Sequence, residues 1–286
     1  YGGTIQLTNP DVLRRPDGGR NPELVLRRQS FGILRDRLIA GGFRELVAVD
    51  NFTTHPEPCR LTLCFEADFA DIFEIRGLER ERSGTFFASL VGPQGLTFDY
   101  LGLDRTLRRT HVALSEPARP GEGPAVTLEI DWLLEPGGQR RLEVLIWDEA
   151  IEDSGGLEEG RRRAETVVPR PPVFDPALPL AAHGTWDASS TRITTGDGGT
   201  TRALRRALSD LRLLVNPGPG PGESYIAAGV PWYSCLFGRD SIITALELLP
   251  VRPQVARETL ELLARLQATE PDDRRDAPPG KILHEL

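Results

Sequence analysis

The hydrophobic period of this sequence changes once, near residue 200, and this change limits the possible folds more than any other feature. Before it, apolar and polar residues alternate in short runs, as in Arg60–Phe65, Thr127–Trp132 and Arg141–Trp147. Alternation with a period of two is typical of strands with one buried face. After it, apolar residues recur at intervals of three and four, which is the helical period. The sequence therefore predicts a β-rich region followed by a helical one.

The strand-like region is predicted to be a β-sandwich of antiparallel sheets. The turn-forming run Glu135–Gly138 separates two of the alternating segments. No helical period lies between the strands, which argues against a doubly wound parallel sheet. Further short candidate strands are 24–26, 45–51, 96–100 and 111–114.

The predicted organisation has three regions. Residues 1–150 are the sandwich domain, 151–199 are a linker with proline and arginine runs and few apolar repeats, and 200–286 begin a helical domain. The chain contains no methionine and starts at Tyr1. We expect it to be truncated at both ends.

Three helices are predicted after residue 200. They cover about 201–215, a segment that begins at Asp240 or Ser241, either of which is a good N-cap, and about 253–268. Three helices with wide apolar faces cannot bury those faces against one another alone. More helices are therefore expected to follow.

Composition narrows the range of partners. The net charge of −8 and the pI near 5.2 repel phosphate backbones, so neither nucleic acid nor an anionic membrane surface is expected as a partner. Cys59, Cys64 and Cys235 cannot all pair, which favours a reducing cytoplasm and a role as small buried hydrophobes. The predicted location is cytoplasmic, and the oligomeric state stays open.

The segment Ala228–Ser241 carries the most chemical information. It joins an aromatic pair, a glycine turn and an Arg-Asp pair where a helix begins. A sugar offers an apolar ring face and a rim of hydroxyls, so a sugar site needs an aromatic platform and planar hydrogen-bonding groups. Trp232, Arg239 and Asp240 supply these groups. The alternative is that Arg239 and Asp240 form a structural salt bridge.

A second candidate loop is Pro278–Leu286. It carries Lys281, His284 and Glu285, which could line the same cavity, although the run is equally consistent with a simple turn. The histidines and cysteines lack the spacing of metal ligands, and Gly218–Gly222 alternates with proline, unlike a phosphate loop. Neither a metal nor an organic cofactor is predicted.

These motifs together resemble the bacterial and archaeal glycogen-debranching (amylo-α-1,6-glucosidase-like) family. In the first half the resemblance rests on Leu7–Pro10, Asn51-Phe52 and above all Ala67–Gly77, whose acids we interpret as structural. In the second half it rests on the motifs 228–232, 237–241 and 279–285.

The resemblance implies an antiparallel supersandwich followed by a six-hairpin α/α toroid, of which this chain holds the first helices. It implies hydrolysis of α-glucosidic bonds with inversion, on an α-glucan or oligosaccharide. Arg239 and Asp240 would hold the terminal glucose, Trp232 would form an aromatic wall, and Glu285 would also bind substrate. The general acid and base are expected beyond Leu286, so the chain alone is predicted to be inactive.

Two other functions stay open. A toroid glycosidase acting on a small glucoside or trehalose-like sugar would share this architecture. A non-catalytic carbohydrate-binding or scaffold protein would keep the sugar-binding groups without the two acids.

Overall fold

The computed structural model describes residues 2–14, 22–122, 125–152, 184–220, 223–230 and 232–285. The chain divides into two compact units, Tyr1–Pro176 and Ala177–Leu286. Most of the predicted linker, from residue 153 to 183, lies outside the described residues, and so do its arginine and proline runs.

The described part of the first unit is built from strands, with one short helix, α1 (Ile72–Ile75), between β6 and β7. The strands are β1 Gly2–Thr8, β2 Val12–Arg14, β3 Glu23–Leu26, β4 Phe31–Ile39, β5 Phe43–Asn51, β6 Glu57–Phe65, β7 Thr85–Phe86, β8 Leu90–Gly92, β9 Gly95–Leu101, β10 Thr106–Leu114, β11 Arg119–Pro120, β12 Val126–Leu134 and β13 Gln139–Glu152.

Within the described residues, these strands form an antiparallel sandwich. The large sheet has the order β1-β4-β5-β13-β10-β9-β7, with β8 also paired to β9, and the small sheet has the order β11-β12-β6. β2 and β3 form a separate ribbon. Every pairing is antiparallel. The predicted antiparallel sandwich is confirmed.

The core of the sandwich follows from the alternation seen in the sequence. Along β12, every second side chain points inward: Leu128, Ile130, Trp132 and Leu134 are at most 5% exposed, whereas Leu133 is 63% exposed. They pack in one cluster with residues of β4, β5, β9, β10 and β13 and with partly buried residues of β6. Burial of one such leucine contributes about 1.5–3 kcal/mol.

The turn Glu135–Gly138 is confirmed, and it joins β12 in the small sheet to β13 in the large one. Asn51, fully buried, holds it in place. The Asn51 amide donates to the carbonyl of Leu134 at 2.9 Å, and its backbone carbonyl accepts from the Gly137 amide at 3.0 Å. Gly137 has φ +67°, a conformation that favours glycine.

The acids of the Ala67–Gly77 segment are used locally. Asp71 caps α1 by accepting from the amides of Phe73 and Glu74, and Glu74 accepts from the Asp71 amide, which completes a capping box. Arg80 forms an ion pair with Asp71.

The other face of the large sheet carries buried polar groups. Arg109 and Asp99, 2% and 4% exposed, form a two-pronged ion pair with both contacts at 2.6 Å. His111, on the same face one pair further along β10, stacks on Trp147 at 4.9 Å and lies 3.3 Å from Glu149. Burial lowers the pKa of His111, against the opposing effect of Glu149.

The described part of the second unit is mainly helical. Residues 184–188 form a helical turn. The elements that follow are α2 Gly198–Leu213, β14 Val215–Pro217, β15 Ser224–Ile226, α3 Gly238–Leu248, α4 Pro253–Arg265 and a 3₁₀ turn Asp273–Arg275. The helices predicted over 201–215 and 253–268 are confirmed. The β14–β15 hairpin was not predicted.

The start of α3 corrects the sequence prediction. The helix begins at Gly238 with Phe237 as its N-cap, not at Asp240 or Ser241. The Gly238 amide donates to the carbonyl of His284, a contact remote in sequence that fixes the start two residues earlier.

The core of the second unit is small. Trp186, Ile226, Leu248 and Val255 form one cluster, and Leu236, Leu262 and Leu263 form another. Trp186 belongs to the range predicted as linker.

The three helices of the second unit differ in how many of their side chains are buried. Helix α2 contains no buried residue, and α3 exposes Ile243 and Leu246, at 50% and 64%. Helix α4 buries the predicted positions Val255, Thr259, Leu262 and Leu263.

Two further sequence expectations can be compared with the described residues. Cys59 and Cys235 are half-buried, but Cys64 is exposed, so the buried role predicted for all three cysteines is wrong for Cys64. It lies on the outer face of the small sheet, because side chains alternate between the two faces along β6 and Cys64 is on the same face as exposed Thr62.

In the described part of the chain, no helix has the length and apolar character needed to cross a membrane.

Candidate functional site

The two sequence motifs of the second unit meet at the start of α3. Phe237 and Glu285 form an antiparallel bridge, and the Gly238 amide donates to the His284 carbonyl at 3.1 Å. The loop that ends in residues 281–285 therefore lies directly beside the Phe237–Ser241 motif.

Two glycines make this contact possible. A Cβ at Gly238 would lie 2.2 Å from the Leu283 carbonyl oxygen, so no larger residue fits without moving the chain. Gly280 has φ +89°, which a side chain would strain. Both glycines are needed to bring the backbone of the loop against the helix.

Ser241 anchors the first turn of α3. Its side chain is 1% exposed, and its hydroxyl donates to the Ile226 carbonyl at 2.8 Å. This bond ties the motif to β15. Phe237, Gly238 and Ser241 thus all have structural roles.

Arg239 and Asp240 are the two residues of the motif without such a role. Arg239 is exposed and Asp240 is half-buried. Neither side chain makes a hydrogen bond or an ion pair with any described residue, and the two do not pair with each other. The structural salt bridge considered above is absent among the described residues. A guanidinium and a carboxylate are therefore available to a ligand.

Arg239 lines a cavity of 390 Å³ with the apolar side chains of Ile242 and Ile243. The opposite wall is the 281–284 segment. Residues 239, 242 and 243 share one helical face because they are three and four positions apart. Asp240 is turned about 100° from Arg239 around the helix and is not among the residues lining this cavity.

Three rings, whose contacts the sequence does not predict, form a row that ends at His284 beside the cavity. Tyr233 packs edge-on against Phe237 at 5.7 Å between ring centroids, and Phe237 packs edge-on against His284 at 5.9 Å. His284 lines the cavity. Trp232 is 40% exposed and is not among the residues that line this cavity. Tyr233, adjacent to Trp232 and 51% exposed, makes the ring contact with Phe237.

The other predicted residues, Lys281 and Glu285, differ in whether their side chains already have a partner. Lys281 lines the cavity but donates to the Asp276 carboxylate at 2.9 Å, and this contact lowers the pKa of Asp276. Glu285 is exposed and lines a neighbouring cavity of 880 Å³. Its carboxylate makes no hydrogen bond or ion pair within the described part of the chain. Across the same residues, no group of three or more His, Cys, Asp or Glu side chains is arranged to hold a metal ion.

Comparison with known families identifies the family of the domain in the first unit. The family described as the N-terminal domain of (some) glycogen debranching enzymes matches residues 2–144, half of the chain. The chain belongs to this family. The matched range covers β1 to β12 and the first part of β13, so the sandwich is the domain that defines the debranching-enzyme family membership.

Solved structures add a likeness in fold. A protein described as a kojibiose phosphorylase from human microbiome is 10% identical, with a TM-score of 0.54 over 93% of this chain and 34% of that protein. The chain thus spans about a third of the length of that solved protein. A polysaccharide lyase matches with a TM-score of 0.31, at 16% identity, over 54% of this chain and 22% of the lyase. No curated protein sequence matches the chain.

Proposed function

We propose that this chain is part of an inverting glycoside hydrolase that acts on α-glucans and cleaves α-1,6-glucosidic bonds in glycogen debranching. The proposal starts from membership of the debranching-enzyme N-terminal family. The observation that carries it is the state of Arg239 and Asp240, which are held on a fixed helix start and have no partner among the described residues.

The chemistry of these two groups suits a sugar. The Arg239 guanidinium donates from a planar fork, and the Asp240 carboxylate accepts from hydroxyls, so together they match the rim of a pyranose ring. Tyr233 and Phe237, which pack against each other at the start of this helix, supply aromatic surface, with Trp232 next in sequence. Glu285 adds a second carboxylate, one cavity further along.

Binding groups alone do not cleave a glycosidic bond. Inversion needs one protonated carboxyl to protonate the leaving oxygen and one carboxylate to activate water, about 6.5–9.5 Å apart. We assign neither role to a residue of this chain. Helices α2 to α4 are proposed to be the first helices of an α/α toroid, and the exposed apolar face of α3 supports this.

The likeness in fold to a protein described as a kojibiose phosphorylase favours a second candidate. Kojibiose is a disaccharide, so this candidate is an enzyme that acts on a small glucoside. It would require inorganic phosphate for turnover if it cleaved its substrate by phosphorolysis, whereas a hydrolase would not. A phosphate dependence of glucose release separates the two.

Substitution of Asp240 tests the assignment of the site. In the complete enzyme, Asp240→Ala is expected to lower activity on an α-1,6-branched glucan by about two orders of magnitude or more, because a charge-assisted hydrogen bond made in the transition state is lost. The melting temperature should stay nearly unchanged, because the carboxylate has no partner among the described residues.

The control is Glu223→Ala, which removes a carboxylate that pairs with Arg265 at 2.6 Å. It should leave activity in place. If Asp240→Ala instead lowers the melting temperature and leaves the activity of the folded protein intact, then Asp240 is structural and the site assignment is wrong.

A further inference from the structure

A cavity of 360 Å³ in the second unit is lined by the 186–193 segment and by α2. It shares no lining residue with the cavities of 390 Å³ and 880 Å³ beside the 281–284 segment. One of its walls belongs to the range predicted as linker. Small-molecule sites commonly measure about 300–1,000 Å³. This cavity is therefore large enough for a small organic ligand.

Trp186 brings a buried hydrogen-bond donor to this cavity. The residue is 6% exposed, and its indole Nε1–H has no acceptor within the described part of the chain. Buried polar groups are almost always paired, so an unpaired one needs an explanation. Trp186 is one of the residues that line the cavity. A ligand oxygen bound there would supply the acceptor.

Two arginines add positive charge to the lining. Arg192 and Arg205 both line the cavity, and both are exposed. Neither side chain forms an ion pair or a hydrogen bond with any residue that the structure describes. Asp187 is the one acidic residue among the described lining residues. Two guanidiniums against one carboxylate leave the lining positive, and guanidiniums only donate hydrogen bonds.

Arg252 lies against the ring of Trp186 and adds to this charge. Its guanidinium is 4.1 Å from the ring centroid, and it donates to the Trp186 carbonyl at 3.2 Å. Its other acceptors are the hydroxyls of Ser189 and Ser190, which are neutral. No carboxylate among the described residues forms an ion pair with Arg252. Uncompensated positive charge next to a cavity favours an anion.

The rest of the lining includes aliphatic surface. Ile193, Leu204 and Leu208 are half-buried and line the cavity. Leu204 and Leu208 are four positions apart on α2, so they lie on one face of the helix. The cavity therefore offers apolar surface together with cationic donors. A molecule with an apolar body and an anionic group matches both.

We infer that this cavity binds a small organic anion, whose phosphate or carboxylate group is held by Arg192, Arg205 and the indole N–H of Trp186. Guanidinium groups bind such oxyanions through short, charge-assisted hydrogen bonds that are often two-pronged. The anion also provides the acceptor that the Trp186 indole lacks. The site is separate from the one proposed at Arg239, and the inference does not rest on the proposed function.

Titration of the 286-residue chain with four probes tests this inference. Phenyl phosphate and benzoate combine an anion with an apolar body, inorganic phosphate has the charge alone, and benzyl alcohol has the apolar body alone. Calorimetry gives the affinities. At least one of the two organic anions should bind at least about tenfold more tightly than both inorganic phosphate and benzyl alcohol. The tighter of the two shows whether the site takes a phosphate or a carboxylate.

The indole N–H signals in NMR spectra report where the anion binds. The Trp186 signal, assigned with Trp186→Phe, should shift saturably with the tighter organic anion. Trp132 is the internal control, because its Nε1 already donates to Glu116 at 2.8 Å, and its signal should stay in place.

The variant Arg205→Gln removes one cavity guanidinium from an exposed position on α2. It should weaken binding of the tighter organic anion by at least about tenfold. The matched control is Arg206→Gln, the next residue on the helix, which pairs with Asp210 at 2.8 Å and does not line the cavity. The control should change the affinity by about twofold or less.

Several results would overturn the inference. Organic anions that bind no more tightly than benzyl alcohol would exclude an anion site. Equal weakening by Arg205→Gln and Arg206→Gln would show an effect of overall charge rather than of the cavity. Inorganic phosphate that binds as tightly as phenyl phosphate would exclude an organic ligand. Binding without a shift of the Trp186 signal would place the anion elsewhere. None of these results bears on the sugar site at Arg239.

Discussion

The two units of the chain use their side chains in different ways. In the first, charged groups on the large sheet pair with each other, as Arg109 does with Asp99, and alternate strand residues fill one core. In the second, Arg239 and Asp240 have no partner among the described residues. The contrast shows that the buried charged groups of the first unit stabilise its fold by pairing, whereas Arg239 and Asp240 of the second unit do not pair with any described residue.

The largest expected effect comes from breaking the buried pair of the first unit. Asp99→Ala removes the carboxylate from a buried ion pair with Arg109, which should destabilise the sandwich by about 3–5 kcal/mol. Denaturant unfolding followed by tryptophan fluorescence measures the loss.

The matched control is Asp104→Ala, which breaks the exposed pair with Arg108 in the same unit. Its effect should be far smaller, because solvent screens that pair. If both variants lost the same amount of stability, burial would not make the Arg109–Asp99 pair more stabilising than the exposed one.

Core truncation on β12 should have the next largest effect. Leu134 is 1% exposed and Leu133 is 63% exposed, although they are neighbours on one strand. Leu134→Ala should cost about 2–5 kcal/mol by leaving a cavity, whereas Leu133→Ala should change stability by less than about 0.5 kcal/mol. Similar unfolding midpoints for the two variants would contradict the assigned sandwich core.

The contact between Gly238 and Leu283 is one place where the second unit is as closely packed as the first. Gly238→Ala should destabilise this unit by about 1–3 kcal/mol, because the new methyl group overlaps the Leu283 carbonyl. Gly229→Ala is the control, since a Cβ there has nothing within 4 Å. A neutral Gly238→Ala variant would mean that the loop can move away from the helix.

The smallest effect is a pH dependence in the first unit. Because burial lowers the pKa of His111 below its ordinary value of 6.5, the unfolded chain takes up a proton before the folded one does. Stability should therefore fall as the pH drops below 6.5.

The groups facing His111 are Glu149, Arg109 and Asp99. His111→Gln should make the stability depend less on pH. The effect should be seen between the ordinary pKa of histidine and the lower range where carboxylates titrate. If the free energies of unfolding of the variant and the parent differed by the same amount across that range, His111 would not be the source of the pH dependence.

The sequence allows the strands and most helices to be predicted, because alternation and helical spacing are local. Alternation does not reveal which strands pair, so the Glu135–Gly138 turn could be predicted but its crossing from one sheet to the other could not. The hairpin of β14 and β15 has no such local signal, because β14 contains Pro217 and proline is unfavourable in most strands.

The candidate site was predictable in its residues but not in its arrangement. Arg239 and Asp240 stand out in sequence, yet the start of α3 depends on the bond from Gly238 to His284, which no local pattern reveals. The row of Tyr233, Phe237 and His284 depends on the same contact. Trp232 is predicted from its residue type alone, whereas the ring contact with Phe237 that the structure describes belongs to its neighbour Tyr233.

The most direct test of the central claim is a titration of the chain with isomaltose, followed by NMR of the arginine side-chain Nε–Hε signals. Arg265 serves as the internal control, because its Nε already donates to Glu223 at 2.7 Å. We predict a saturable shift of the Arg239 signal and none of the Arg265 signal. An Arg239 signal that does not move at saturating sugar, or moves no more than that of Arg265, would contradict a sugar site at this residue.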